Sequence, residues 1–325
     1  MNQKNKVFLS LIFSFYNEAA VLPSFIERIR KVMTDELKEN HIRQYELIFV
    51  NDASDDNSEI ILRNLSQEHK DMGIITMSRR FGVASCVIAG LSYARGDCSI
   101  YMDCDLQDPP EVIPQMIQAY RDSDADVVHT KRIHRQGESP FKLFLTKIGY
   151  KVLNRYSNVP MPQEAGDFKL LSRRVVDHIL QLKEYNPYIR GLVSYVGFKQ
   201  IFITYKRHPR HAGESKFFIL GPKAVSNFLN SLVGFSSVPL QISSYCGICS
   251  ILIDFVLMLY ALYQKLSGQS VGGWTAIMIV ILFIGGVQLF CIGMIGLYLN
   301  SVHEQTKMRP NYIINSTYGF EDLTK

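Results

Sequence analysis

Two apolar runs constrain this chain more than anything else in it. The 325 residues include 35 Lys and Arg and 30 Asp and Glu, yet between Val238 and Leu299 the only charged side chains are Asp254 and Lys265. The first run covers about residues 239–263, and the second covers 274–299 with no formal charge. About 20 apolar residues in a helix cross a 30 Å hydrocarbon core, so each run is long enough to span a membrane. The connector, 264–273, is short, which makes the pair a hairpin with both chain ends on one side. Lys206, Arg207, Arg210, Lys216 and Lys223 precede the first span, and Lys307 and Arg309 follow the second. The connector offers only Lys265, so the positive-inside bias places the large domain and the tail in the cytoplasm. Asp254 is costly within a span. It either pairs across a subunit interface or lies near enough to one edge to be solvated.

The remainder reads as an ordinary soluble domain. A mean hydropathy of +0.03 is therefore the sum of a charged domain and a nearly uncharged hairpin. The net charge of +5 is too small for a disordered tail protein or a strongly basic nucleic-acid binder. Lys4, Lys6 and the apolar run after them resemble a short signal peptide, but the run ends at Tyr16-Asn17-Glu18 with no convincing cleavage site, and a buried first strand explains it better. The six cysteines, Cys86, Cys98, Cys104, Cys246, Cys249 and Cys291, suit a reducing compartment. Cys246-x-x-Cys249 has a redox spacing but falls inside a span, where two small apolar residues in a helix are the better reading.

Strand-length apolar runs at 6–15, 45–50, 73–77, 99–102 and 125–130 alternate with helical stretches at 19–40, 58–69 and 83–94. That alternation predicts an α/β fold with a mainly parallel, doubly wound sheet. Ligands of such sheets bind outside the carboxyl ends of the strands, where Tyr16-Asn17-Glu18, Asn51-Asp52 and Asp103/Asp105 all fall. No G-x-G-x-x-G follows the first strand and no P-loop pattern occurs, which argues against a dinucleotide oxidoreductase and a P-loop NTPase. Asp103-Cys104-Asp105, just past a strand, can share one hard cation; magnesium and manganese prefer such oxygen ligands and bridge substrate phosphates. Asp108-Pro109-Pro110-Glu111 reads better as a helix start, with Asp108 as cap and Glu111 closing a capping box, than as a third metal carboxylate. His208 and His211 lie in too basic a loop to suit a metal. Lys206-Arg207-His208-Pro209-Arg210-His211 fits either a strip against anionic headgroups or a set of phosphate ligands. Residues at about 140–156 and 216–237 carry apolar positions at helical spacing with basic flanks, suited to lying in the membrane surface or to packing on the sheet.

The run Met102-Asp103-Cys104-Asp105-Leu106-Gln107-Asp108-Pro109-Pro110-Glu111 resembles the signature of polyprenyl-phosphate glycosyltransferases of glycosyltransferase family 2. Within that family the chain is most similar to bactoprenol (undecaprenyl-phosphate) glucosyltransferases and more distantly to dolichyl-phosphate mannose synthases. The resemblance covers nearly the whole chain, through Ser78-Arg79-Arg80-Phe81-Gly82, Gly90-Leu91-x-x-Ala94-x-Gly96-Asp97, Gly166-Asp167-Phe168-Lys169-Leu170 and Arg207-x-x-Arg210-x-Ala212-Gly213-x-Ser215-Lys216-Phe217. The tail Glu304-x-x-Lys307-x-Arg309-Pro310-x-Tyr312-Ile313 also fits. Two positions depart from the pattern. Ser14 stands where the family usually has Pro, and Asn51-Asp52-Ala53-Ser54 replaces Asp-Asp-Gly-Ser.

The resemblance implies a GT-A fold on residues 1–215, spans at 238–263 and 274–299 joined by an external loop at 264–273, and a cytoplasmic tail at 300–325. It implies metal binding by Asp103 and Asp105, with Mg2+ or Mn2+ as cofactor, and nucleotide contacts from Tyr16, Asn17, Glu18, Asp52 and Asp103. Asp167 and Asp105 are the expected catalytic carboxylates, Asp167 beside the sugar as base or electrostatic partner. As a rival role, Asp167 caps a turn before the helix near 173–182. Arg207, Arg210 and Lys216 would meet the acceptor phosphate. The implied partners are a UDP-linked sugar, a polyprenyl phosphate, the cell membrane, a second copy of the chain, a flippase and a downstream glycosyltransferase, with no nucleic acid. Gly285, Gly286, Gly293 and Gly296 would let span helices approach closely in such an oligomer. A processive polysaccharide synthase would carry Q-x-x-R-W in its catalytic domain, whereas the single Trp here is Trp274 at a span boundary. A catalytically dead scaffold would have no need of Asp103, Asp105, Asp167, Arg207 and Arg210 together, whereas a nucleotide-sensing module would bind the UDP-sugar with metal and never turn it over.

Overall fold

A computed structural model describes residues 6–132, 165–185, 187–205, 238–267 and 273–320. The elements run β1 (Val7–Phe15), α1 (Leu22–Lys38), β2 (Ile42–Asn51), α2 (Ser58–Glu68), β3 (Met72–Met77), α3 (Val83–Tyr93) and β4 (Cys98–Asp103). A short 3-10 turn (Pro110–Val112) leads into α4 (Ile113–Asp122), followed by β5 (Val127–Arg132), β6 (Ala165–Ser172), α5 (Arg173–Gln181), α6 (Ile189–Tyr195) and β7 (Gln200–Tyr205). Two long helices, α7 (Val238–Leu266) and α8 (Trp274–Thr306), precede the last strand, β8 (Ile314–Tyr318).

All eight strands form one sheet in the order β7-β5-β6-β4-β1-β2-β3-β8. The block β3-β2-β1-β4 is parallel, so the carboxyl ends of these strands share one edge. β6 runs antiparallel to both β4 and β5, which brings its first residues to that same edge. β1 is an unbroken apolar run because both of its faces are covered: Leu11 and Phe13 join the core under α1 and α4, while Ile12 joins the core under α3, α5 and α6. Close approach of α3 requires Gly90, where a Cβ would lie 2.3 Å from Ile12 Cγ2.

The tail is part of this sheet domain. β8 pairs antiparallel with β3, matching Ile74 to Tyr318 and Thr76 to Ser316. Residues 310–320 thus belong with the first 205 in one compact unit, while α7 and α8 form the other. Within the stretch 300–325, α8 continues to Thr306 and the strand INSTY then pairs with the edge of β3. In the second unit, Cys291 Sγ donates to Ser243 O at 3.3 Å, and Leu240 lies beside Tyr298, so α7 and α8 pair antiparallel. Both helices are long and apolar enough to cross a membrane. All six cysteines are thiols rather than disulfide-bonded.

Candidate active site

The acidic groups converge at the shared strand edge. Ser14 pairs with Asp103 across β1 and β4, and its hydroxyl donates to Asp103 Oδ1 at 3.1 Å. The departure from the family pattern at Ser14 therefore has a structural partner. Burial pushes the Asp103 carboxyl up to about 7, helped by repulsion from Asp105, Asp167 and Asp108 and opposed by the Ser14 hydrogen bond. Asp105 follows on a turn in which Gln107 N donates to its Oδ1 at 3.1 Å and Leu106 adopts a left-handed φ of 55°. Losing the Ser14 hydroxyl removes one hydrogen bond to a charged group, worth about 1.5–3 kcal/mol. Ser14→Ala should accordingly weaken divalent-ion affinity about tenfold or more, as read by metal titration of transfer activity.

Asp167 lies near the start of β6, in a strand rather than on a turn. Its two carboxylate oxygens accept from Arg190 Nε at 2.7 Å and Nη2 at 2.5 Å. The alternative of a helix cap is thereby settled: Ser172 caps α5, its hydroxyl accepting from Val175 N. Arg190, the second residue of α6, was not legible as a site residue, since no local motif marks it.

Asp108 does not cap the helical turn, which has no side-chain cap at all. It is buried and accepts from Tyr205 Oη, a partner on β7. Glu111 likewise leaves the expected capping box to bind Arg28, whose Nη2 reaches Oε2 at 2.8 Å. The competing attraction in both cases is a tertiary partner absent from the local pattern.

The residues expected from the sequence to face the nucleotide form a second cluster. Asp52 is buried at the end of β2, and its carboxylate accepts from the backbone N–H of Phe81 at 2.7 Å and of Gly82 at 3.0 Å. It thus anchors the Ser78–Gly82 loop at the site edge. Arg80, on that loop, stacks 4.0 Å above the Tyr16 ring. Asn17 is a structural clamp in a left-handed conformation: its Nδ2 donates to Asp55 Oδ1 at 2.5 Å and its Oδ1 accepts from Asp55 N at 3.0 Å. Burial raises the Cys104 thiol, with further contributions from Asp103, Glu18 and Asp105. Arg207, Arg210 and Lys216, with the stretches 140–156 and 216–237, lie outside the described residues.

Among the described residues, the carboxylates at this edge do not close into a three-ligand cluster; Glu36, Glu39 and His41, at the end of α1, form the tight one. A hard cation at Asp103 and Asp105 would take further oxygens from a bound diphosphate, which is how Mg2+ is usually held.

The comparisons with known proteins identify the class as a glycosyltransferase. Residues 10–180 match the model of glycosyl transferase family 2. The glycosyltransferase YkcC of Bacillus subtilis (strain 168) is 38% identical over 314 residues, covering 96% of this chain and 95% of that protein. The prophage bactoprenol glucosyl transferase homolog of Escherichia coli (strain K12) is 34% identical over 307 residues, covering 94% and 98%. Among solved structures, the mannosyltransferase PcManGT of Pyrobaculum calidifontis is similar with a TM-score of 0.46 at 11% identity, over 94% of this chain and 76% of that one. The chain belongs to glycosyltransferase family 2.

Proposed function

We propose that this chain is a membrane-anchored, inverting glycosyltransferase that moves a hexose from a nucleotide sugar, UDP-glucose or a close relative, to undecaprenyl phosphate. The product would be a lipid-linked sugar donor for cell-envelope or O-antigen glycosylation. The observation that carries the reading is the convergence of Asp103, Asp105 and Asp167 at one strand edge, where burial, helped by repulsion from the neighbouring carboxylates, lifts Asp103 to about 7. Such a site is short of positive charge, and an all-oxygen donor set suits Mg2+ or Mn2+. When bound, the ion neutralises charge on the leaving diphosphate.

The remaining roles fall to the chain's own residues. The acceptor phosphate is already an anion and needs no strong base. One of its oxygens bonds to the anomeric carbon as the bond from that carbon to the diphosphate breaks, and the electron pair leaves with the nucleoside diphosphate. Asp167, gripped by Arg190, stands beside the sugar and stabilises positive charge on the ring. Tyr16, Arg80 and the loop anchored by Asp52 face the nucleotide. Arg207, Arg210 and Lys216 offset the charge of the incoming phosphate. The relatives named bactoprenol glucosyl transferase support that acceptor. Anchoring rests on α7 and α8, and the pairing of β8 with β3 supports a cytoplasmic hairpin, since it keeps residues 314–318 in the compartment of the catalytic domain.

Membranes containing the protein, given undecaprenyl phosphate, a divalent ion and labelled UDP-Glc, UDP-Gal, UDP-GlcNAc or GDP-Man in turn, should yield a labelled lipid with one UDP-sugar. Absence of labelled lipid from all four donors overturns the reading.

A further inference from the structure

Asp105 sits on a piece of chain that belongs to no helix or strand. β4 ends at Asp103, residues 104–108 are irregular, and the 3-10 turn begins only at Pro110. Within that stretch Leu106 has a left-handed φ of 55°. A residue with a bulky side chain is strained there, and such a backbone persists only where its surroundings over-determine it. The position of Asp105, one residue earlier, therefore depends on what pins the stretch on either side.

At the near end the pin is β4 itself, and along the stretch Cys104 and Leu106 are buried in the core. At the far end it is Asp108, buried and accepting from the hydroxyl of an equally buried Tyr205. Tyr205 is the last residue of β7, three places from β4 in the sheet. Its ring stands edge-on to Phe168, with centroids 6.1 Å apart, and Phe168 directly follows Asp167 on β6. Leu106, Phe168 and Tyr205 all belong to one core cluster. Tyr205 thus touches both carboxylate-bearing segments of the site, the Asp105 turn through its hydroxyl and the start of β6 through its ring. Asp108 is also close enough to Asp103 to add to the rise of that carboxyl, behind burial, Asp105 and Asp167.

A carboxylate is costly to bury, and an apolar pair would fill the same core without that cost. What Asp108 and Tyr205 supply in return is a directional bond between the irregular turn and the sheet. We propose that Tyr205 is a positioning residue for metal binding: its hydroxyl, through Asp108, holds the strained turn that presents Asp105 to the cation. The inference rests on Asp103 and Asp105 holding a divalent ion, as in the proposed function.

The test is Mn2+ binding to the full-length protein, read from the EPR signal of the free ion, which needs no turnover. Tyr205→Phe keeps the ring against Phe168 and removes only the hydroxyl. Its Mn2+ affinity should fall about tenfold, the scale of losing a group that orients a ligand from behind. Asp108→Ala and Asp108→Asn remove the same charge, but only asparagine keeps an oxygen that can accept from the Tyr205 hydroxyl. Asp108→Asn should therefore bind Mn2+ several-fold more tightly than Asp108→Ala. Adding Tyr205→Phe to Asp108→Ala should change the affinity by less than about twofold, because the bond is already gone.

An affinity in Tyr205→Phe within about twofold of the parent, or losses from Tyr205→Phe and Asp108→Ala that multiply, overturns the inference. If Tyr205→Phe does not accumulate, the two Asp108 variants decide, and equal affinities overturn it. Mn2+ binding that is the same in the parent and in Asp105→Ala also overturns it, because the ion is then held elsewhere. Should the parent form no glycosyl lipid, the functional reading fails while the Mn2+ titration still decides this one.

Discussion

Asp105→Ala should leave the protein folded and lower sugar transfer by roughly 10^3-fold, about 4 kcal/mol of transition-state stabilisation. The effect is large because the two carboxylates divide the work unevenly. Asp103 ends β4 and is held by the Ser14 hydroxyl, so its position is fixed but its charge is costly. Asp105 lies on the following turn, where Gln107 N holds one oxygen and leaves the carboxylate half-exposed toward incoming ligands. Removing it leaves a cation with a single protein carboxylate, while relieving one of the charges that raises Asp103. Two measurements separate these consequences. Thermal unfolding without metal should be unchanged or slightly higher, because a like-charge repulsion has gone. The rise in Tm produced by Mn2+ and nucleotide in the parent should disappear, since stabilisation by a ligand follows its affinity for the native state. Full activity in Asp105→Ala contradicts the metal assignment.

Deleting residues 310–325 should destabilise the sheet domain by about 3–5 kcal/mol, the scale of losing one large packed aromatic, and lower Tm by roughly 10 °C. The strand at stake is short and polar, but its surroundings are shaped for it. Ser78 N donates to Ile313 O at 2.9 Å, Tyr312 Oη meets Ser92 Oγ at 3.1 Å, and the Phe320 ring lies 4.9 Å from that of Tyr93. Gly73 makes the room, because a Cβ there would stand 2.4 Å from Phe320 Cζ. Without the tail, β3 becomes an exposed edge beside an uncovered apolar surface, a known route to aggregation. The loop holding Arg79 and Arg80 begins at Ser78, so the loss should also raise KM for the nucleotide sugar. A double-mutant cycle gives the specific check. Gly73→Ala should be markedly destabilising alone and nearly neutral in the background of Phe320→Ala, because the clash is with that ring. A truncated protein with the parent's Tm contradicts the packing described for β8.

The first four strands were legible because each centres on a mainly apolar run closed by polar residues, the pattern of a sheet covered on both faces, and the fifth from its place in the strand–helix alternation. β8 was not, since INSTY offers only Ile314 and Tyr318 as apolar residues and becomes a strand by meeting β3, some 240 residues earlier in the chain. The same distinction runs through the site. Asp103 and Asp105 could be placed from the apolar segment that precedes them, and Asp167 from a motif. Their partners could not. Ser14 and Arg190 reach these carboxylates through strand register and helix packing, which no local spacing encodes. Asp108 shows the opposite failure. Its sequence context is a well-formed capping box, yet the Tyr205 hydroxyl, 97 residues away, takes the carboxylate instead.

The identity of the lipid product is the decisive observation. Purified full-length protein in vesicles, supplied with undecaprenyl phosphate, labelled UDP-glucose and Mg2+ or Mn2+, should form undecaprenyl phosphate bearing one hexose through a single phosphate, with UDP released in equal amount. Chelation of the divalent ion should stop it. A labelled lipid carrying a diphosphate, a polymer in place of a single sugar, or no labelled lipid with any of UDP-Glc, UDP-Gal, UDP-GlcNAc and GDP-Man would contradict hexose transfer to a lipid phosphate by this chain.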